Sequence, residues 1–179
     1  MRYTSIRSHL TVYSLVAKRT TTINHAFAAA VAPHDEFDDK RVREALAVLG
    51  QDADAELLCA YCGEKANTWD HVHATVHETE FSGYGHRLGN LLPCCKPCNS
   101  SKGNQDWRAY LRRLEMPEQV RMERERRIDA YLKKYEVIDK LAEHLPEYGE
   151  LMDLRRQVRE IFSKADELAK VIRSKSKRI

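Results

Sequence analysis

The sequence predicts a mainly α-helical protein organised around one short module that two cysteine pairs hold together. Both pairs have Cys-x-x-Cys spacing, and they enclose a stretch rich in polar residues. In the flanking chain apolar residues recur every three or four positions, which predicts helices. This pattern continues to the C-terminus and predicts long helices there. We therefore expect an N-terminal helical segment at 1–56, the cysteine module at 57–104 and a helical C-terminal region at 105–179.

Four cysteines of the module have the spacing of a zinc site. Each Cys-x-x-Cys turn can direct two sulfurs at one point, and two such turns offer a tetrahedron of thiolates, which suits Zn²⁺ better than Mg²⁺ or Ca²⁺. Four thiolates leave no open position for substrate, so the predicted zinc is structural. Free core cysteines that fall in pairs by chance are the alternative. The predicted ligands are Cys59, Cys62, Cys95 and Cys98, while Cys94 is expected to be a small buried residue.

Between the cysteine pairs lie polar residues with the chemistry of a hydrolytic site. Asp70 and His71 stand at a predicted strand end, and Asn99 directly follows Cys98. A carboxylate and an amide oxygen are hard ligands that suit a divalent cation, and a free imidazole can take a proton from water. Because Asn99 adjoins a predicted zinc ligand, the zinc would fix the position of this second metal ligand.

This pattern resembles the HNH, or ββα-metal, family of nucleases, and the resemblance is confined to the cysteine module. The family often has His at the last motif position, where this chain has Asn99, a variant that keeps an oxygen ligand. The motifs that carry the resemblance are the two cysteine pairs, Trp69-Asp70-His71, Gly89-Asn90-Leu91 and Cys98-Asn99-x-x-Lys102-Gly103.

The resemblance implies a small ββα-metal module stapled by zinc, with a role for each polar residue. His71 would be the general base that activates water, and Asp70 and Asn99 would bind a catalytic Mg²⁺ or Mn²⁺. Asn90 would brace the long loop and help to orient His71. The implied activity is that of a metal-dependent endonuclease that hydrolyses DNA phosphodiester bonds, and analogy suggests restriction or another defence role.

Two basic residues are candidates for contacts with phosphate. Arg87 lies close to Asn90 in sequence, and Lys102 follows Asn99 by three residues on a predicted helix. An exposed loop residue without a role is an equally good interpretation of Arg87. Two other functions remain open for the whole chain. One is a non-catalytic zinc-binding module for nucleic acid or protein, and the other is a helical interaction protein whose zinc only joins helical ends.

Helices are predicted on both sides of the module. They cover 21–33, 39–49 with an aspartate cap and Gly50 at the end, a segment after Asp106, and a longer one from Pro117 to Leu145. The last helix carries a heptad seam, which can pack within the chain or between subunits; its regularity favours a homodimer. The seam residues are Leu151, Leu154, Val158, Ile161, Ala165, Leu168 and Ile172.

Composition and charge set the remaining expectations. The formal net charge is +3, and the positive excess lies in 105–179, where it is a candidate for contact with the DNA backbone. The apolar run Leu10–Ala17 is too short and too interrupted for a membrane span or a signal peptide, and is predicted to form an edge strand or a first helix. Because zinc explains the cysteines better than disulfides do, we expect a cytoplasmic protein with no membrane association.

Overall fold

Helices make up most of the chain, as the sequence predicts. The computed structural model describes residues 3–141 and 143–176. Besides short 3₁₀ turns at Tyr3–Ser8 and Leu88–Asn90, ten elements are present in these residues. They are α1 (Leu15–Val31), α2 (Asp39–Val48), β1 (Thr68–His71), β2 (Val76–His77), β3 (Glu80–Phe81), β4 (Leu91–Cys94), α3 (Lys96–Lys102), α4 (Trp107–Arg113), α5 (Glu118–Tyr135) and α6 (Pro146–Ser176).

The elements divide between two units. The central unit comprises Ala28–Leu141, and the terminal unit combines the described parts of Met1–Phe27 and Ala142–Ile179. These bounds differ from the three predicted segments, because helices on both sides of the cysteine module share one core with it. None of the described helices is long and apolar enough to cross a membrane.

Helix boundaries in the central unit follow local signals in the sequence. At the start of α2, Asp38 accepts a hydrogen bond from the Arg41 N–H (3.0 Å), and at the start of α4, Asp106 accepts one from the Ala109 N–H (2.9 Å). A carboxylate at this position satisfies a free N–H group and offsets the positive end of the helix dipole. Past the end of α2, Gly50 adopts a φ of 70°, which a residue with a Cβ rarely does.

The end of α5 differs from the prediction. The apolar periodicity continues to Leu145, whereas the helix ends at Tyr135. The following residues are drawn into contacts with the loop that precedes β4: the Asp139 N–H donates to the Gly83 carbonyl (2.7 Å), and the Asp139 carboxylate accepts two hydrogen bonds from Arg87. These distant partners outweigh the local helical pattern.

The cysteine module contains two antiparallel strands followed by a helix. Strand β1 pairs with β4, with Asp70 opposite Leu92 and His71 opposite Leu91. The small β2–β3 hairpin lies in the long loop between them. Helix α3 follows β4 almost directly and packs against β1. Because side chains alternate along a strand, Asp70 is buried while the Trp69 side chain reaches solvent.

One hydrophobic core joins the cysteine module to its flanking helices. Helices α2, α4 and α5 all contribute to it, so the predicted boundary near residue 56 does not separate two cores. This core buries aromatic rings and cysteine sulfurs together. Its large, almost wholly buried hydrophobic members are Tyr61, Leu92, Trp107, Leu111, Ile128 and Tyr131, and the same core contains Ala45, Cys59, Cys94, Cys95 and Cys98.

The terminal unit pairs the first part of α1 with α6. Asp166 of α6 accepts hydrogen bonds from the Leu15 N–H (2.8 Å), the Val16 N–H (3.1 Å) and the Ser14 hydroxyl (2.8 Å). The carboxylate thus satisfies N–H groups at the start of α1 that have no partner within the helix. Helix α1 begins at Leu15, earlier than predicted, because this cap comes from a residue far along the chain.

Little of the terminal unit is buried. Among its described residues only Ile23 and Asn24 are buried, and no residue of α6 is. Pro146 is the first residue of α6, a position that needs no N–H.

Candidate metal centre and active site

Four cysteine sulfurs converge in the core of the central unit. The Sγ atoms of Cys59, Cys62, Cys95 and Cys98 all lie within 4.8 Å of one another. In the first pair, a tight turn is closed by the Gly63 N–H donating to the Cys59 carbonyl (2.9 Å). The second pair spans the start of α3, where Cys95 is the N-cap residue.

The four sulfurs fit a tetrahedral metal. A zinc–sulfur bond of about 2.3 Å places tetrahedral sulfurs roughly 3.8 Å apart, and the Sγ atoms of Cys62 and Cys95 lie 3.6 Å apart. This is the one cluster of three or more His, Cys, Asp or Glu side chains able to hold a metal in the residues that the structure describes. The cluster can hold a metal such as zinc, and soft thiolates favour zinc over magnesium or calcium.

Cys94 lies beside this cluster and outside it. Its side chain is wholly buried, and its Sγ is 3.8 Å from the Cys59 Sγ and 3.3 Å from the Cys95 carbonyl oxygen. A thiol in this place can donate a weak hydrogen bond to a thiolate ligand, which is how neighbouring groups tune a metal site.

Asp70 is held in the interior by two polar partners. The Tyr61 hydroxyl donates to its carboxylate at 2.7 Å, and the Lys102 Nζ lies 3.1 Å from the same oxygen. Burial raises the pKa of Asp70, while the Tyr61 hydrogen bond and the Lys102 charge act in the opposite direction. Asp70 is 3 % exposed, so these two partners account for the stability of a charge inside the core.

Lys102 lies in the interior and not on the surface. Its ammonium also donates to the carbonyls of His71 (2.9 Å) and Gly103 (3.3 Å), and the residue is 1 % exposed. The cause is its place in the last turn of α3, on the side that faces β1. Phosphate contact was predicted for Lys102, but in this structure its ammonium group is buried and paired with Asp70.

Arg87 is also engaged by carboxylates. Its guanidinium donates to both oxygens of Asp139 (2.7 and 2.6 Å) and to Asp35 (2.8 Å), and Asp35 accepts in addition from the Leu88 N–H (3.0 Å). Two planar, charge-assisted contacts of this kind are strong and directional. Arg87 therefore fastens the loop before β4 to the segments that precede α2 and follow α5.

His71 forms a pair with a second histidine. The His71 Nε2 lies 3.0 Å from the His86 Nδ1, and the two rings meet edge to face. Burial, followed by the nearby His86 and Lys102, lowers the pKa of His71 to about 4. His71 is thus neutral at neutral pH and able to accept a proton. The His86 backbone is itself fixed, because its N–H donates to the Pro33 carbonyl (2.7 Å).

Asn90 braces the long loop between β1 and β4. Its amide nitrogen donates to the carbonyls of His73 (3.0 Å) and Gly85 (3.2 Å), and its amide oxygen accepts from the His73 N–H (2.8 Å). The side chain is buried, and its two bonds to His73 join the two ends of the loop.

Asn99 lies in the middle of α3 and is half-buried. Its amide nitrogen donates to the Trp69 carbonyl (3.2 Å), which ties α3 to β1 beside the cysteine cluster. The Asp70 carboxylate is occupied by a tyrosine and an ammonium, so its surroundings are those of a buried ion pair. The donors around Asp70 and Asn99 do not match a cation site in this arrangement.

Three contributions to the site escape sequence reasoning. Tyr61 reads as an ordinary core residue between two cysteines, and Asp35 and Asp139 lie about fifty residues to either side of Arg87. For the histidine pair the sequence offers one signal, which is that His86 stands next to Arg87 in the long loop. Its contact with His71 needs the loop path that the structure reveals.

No protein-family model matches this chain, and comparison with curated proteins and with solved structures finds no match either.

Proposed function

We propose that this chain is a nuclease of the HNH type that hydrolyses phosphodiester bonds in DNA. The observation that supports the proposal is the placement of Asp70 and His71 on β1 beside α3, next to the cysteine cluster, with the buried Asn90 bracing the loop between them. The same order of strand, loop, strand and helix carries the motifs that resemble the family.

The metal at the cysteine cluster is proposed to be a structural zinc. Four thiolates complete a tetrahedron, which leaves no position for a water or a phosphate. The zinc would hold the turn at Cys59 against the start of α3. It would thereby fix Asn99, which follows the ligand Cys98, relative to β1.

His71 is proposed to take the proton from the attacking water. For its Nδ1 to accept a proton, the ring must carry its hydrogen on Nε2, and the His86 Nδ1 at 3.0 Å is placed to accept that hydrogen. His86 would then hold both the tautomer and the orientation of the His71 ring. We class His86 as a positioning residue, since it acts through His71.

The resemblance also implies a catalytic Mg²⁺ or Mn²⁺ at Asp70 and Asn99, which would stabilise charge on the phosphate. Lys102 and Tyr61 occupy the Asp70 carboxylate, so this carboxylate is not free to bind a cation in the present arrangement. A separate test decides whether cleavage needs the cation that the resemblance implies. Cleavage that a chelator stops and added magnesium restores, with the zinc content unchanged, would establish that need, and cleavage that persists in the chelator would exclude it.

A plasmid-nicking assay tests the proposal. His71→Ala should lower the cleavage rate by roughly two to four orders of magnitude, the usual contribution of a positioned base, and should leave the zinc content and fold unchanged. His77→Ala is the matched control, because His77 is exposed on β2 and should cleave like the wild type. An equal rate for His71→Ala and the wild type would show that His71 is not the base.

A second candidate function is a non-catalytic zinc-binding module for nucleic acid or protein. The buried Asp70–Lys102 pair favours it, since a carboxylate with this partner is a structural feature in many cores. Binding of DNA at low salt without nicking, under every divalent cation tried, would support this function. Nicking that His71→Ala abolishes would exclude it.

A further inference from the structure

One face of α6 carries a regular stripe of side chains at intervals of seven residues. Its three central members are apolar and exposed: Leu154 by 52 %, Ile161 by 60 % and Leu168 by 66 %. One interval further out, the stripe ends in an acid, Glu147, and in a base, Lys175. Residues seven apart lie on nearly the same side of an α-helix, so these five side chains form one line.

The terminal unit uses a different side of α6. Its half-buried positions lie on that other side of the helix, together with the capping residue Asp166. They are Tyr148, Leu151, Met152, Arg155, Val158, Phe162, Ala165 and Ala169. The predicted heptad seam is therefore split. The row at Leu151, Val158 and Ala165 is partly covered by other residues of the chain. The row at Leu154, Ile161 and Leu168 stays exposed among the described residues.

We propose that the stripe is the contact between two copies of this chain, with the two α6 helices antiparallel and the twofold axis at Ile161. In this arrangement Ile161 meets its own counterpart, and Leu154 meets Leu168 of the other copy. Glu147 of each copy then lies opposite Lys175 of the other. The apolar centre is covered, and an ion pair closes each end.

Charge selects this orientation over the parallel one. Within α6, residues 146–154 carry acidic side chains and no basic ones, whereas residues 169–176 carry basic side chains and no acidic ones. Parallel helices would set Glu147 against Glu147 and Lys175 against Lys175, which repel. Antiparallel helices set opposite charges together at both ends and also align the two helix dipoles favourably.

The length of the stripe suits a stable contact. From Glu147 to Lys175 it spans about 42 Å of helix at 1.5 Å per residue, which is long for a pair of helices. Ile172, which is 65 % exposed, lies beside the stripe and widens its apolar part. Exposed apolar rows of this extent on a helix mark association surfaces.

The mass of the protein in solution tests the contact. The wild type should be a dimer by light scattering at micromolar concentration. Ile161→Glu places two carboxylates together at the axis and should give a monomer. Ser163→Glu is the matched control, because it adds the same charge to an exposed position on another side of α6 and should stay dimeric. A monomeric wild type, or a dimeric Ile161→Glu, would overturn the proposal.

Cysteine cross-linking tests the orientation. A mixture of separate Leu154→Cys and Leu168→Cys chains should form a disulfide between unlike chains, while Leu154→Cys alone should form none. Wild-type protein under the same oxidation gives the background of the native cysteines. Efficient self-linking of Leu154→Cys would show a parallel pair and overturn the stated register. Both tests are made without DNA, so they are independent of the proposed nuclease activity.

Discussion

The central and terminal units differ in where their apolar side chains lie. In the central unit Trp107, Tyr61 and Leu111 are at most 1 % exposed, and the cysteine cluster belongs to the same core. In the described part of the terminal unit Ile23 is the one buried apolar residue, and Ile161 and Leu168 face solvent. A unit that buries so little surface gains little stability from its own packing. The comparison shows that a large buried core stabilises one unit, whereas the described residues of the other unit bury too few side chains to stabilise it in the same way.

Loss of the metal should have the largest effect and should fall on the central unit. The free energy of zinc binding to thiolates, about 10–16 kcal/mol for small zinc domains, is also folding free energy. We expect Cys62→Ser to unfold this unit. Both tryptophans, Trp69 and Trp107, lie there, so their fluorescence reports its unfolding without interference from the terminal unit.

The matched control for zinc loss is Cys94→Ala, which changes a buried cysteine outside the cluster. It should keep one zinc per chain by elemental analysis and should show native fluorescence. Native fluorescence in a Cys62→Ser protein that contains no zinc would contradict the prediction.

Removing one partner of the buried ion pair should have the next largest effect. Lys102→Met leaves the Asp70 carboxylate in the core without its cation, which typically costs about 3–5 kcal/mol. The double variant Lys102→Met with Asp70→Asn should recover most of this loss, because no charge remains buried. Urea unfolding followed by tryptophan fluorescence measures both. Strictly additive losses would show that the two residues do not interact.

A matched pair of leucine truncations compares the two units directly. Leu111→Ala should destabilise the central unit by about 2–5 kcal/mol, the usual range for a buried leucine, whereas Leu168→Ala should change the stability of dilute protein by less than about 0.5 kcal/mol. Leu111 has no exposed surface and Leu168 is 66 % exposed. Denaturant titrations at equal protein concentration give both values, and equal losses would remove the contrast between the units.

The smallest effect concerns the cap on α1. The Leu15 N–H, the Ser14 hydroxyl and the Val16 N–H lower the pKa of Asp166. A lowered pKa means that the cap stabilises the folded state above the ordinary aspartate pKa of 3.8 and that this stabilisation is lost as pH falls through the folded value. The protection of the Leu15 and Val16 amides against exchange, measured relative to their intrinsic exchange rates, should therefore decrease as the pH falls from 5 to below 3.8.

The control for the cap is Asp166→Asn, which keeps an acceptor oxygen but no titrating group. Exchange at the start of α1 should be faster than in the wild type at pH 5, and the additional change on acidification should be absent. If the wild type shows no such change relative to the variant, the carboxylate does not cap α1 in solution.

Local signals in the sequence predicted a good part of the fold. Asp38 and Asp106 mark helix starts that the structure confirms, since each carboxylate caps an N–H three positions away. Pro117 marks the start of α5. The four cysteines of the cluster were also predicted, because two Cys-x-x-Cys turns restrict their sulfurs before the rest of the chain folds. A long last helix was predicted as well, and α6 is present.

What the sequence could not supply was the identity of distant partners. The apolar pattern predicted that the helix continues past Tyr135, but the helix ends there and Asp139 binds Arg87. Lys102 reads as a surface lysine until α3 is placed against β1. The period of α6 likewise says that a seam exists, and only the exposure of Ile161 says which row of it is uncovered. Each of these outcomes depends on contacts between residues far apart in the chain.

The cap of Asp166 on α1 also has a consequence for the order of events during synthesis. The Leu15 N–H and the Asp166 carboxylate are separated by 151 residues. At translation rates of about 5–20 residues per second, the start of α1 waits on the order of ten seconds or more for its cap. The entire central unit, Ala28–Leu141, is synthesised within that interval. The middle of the chain can therefore fold first during synthesis. The start of α1 stays uncapped until α6 has emerged from the ribosome.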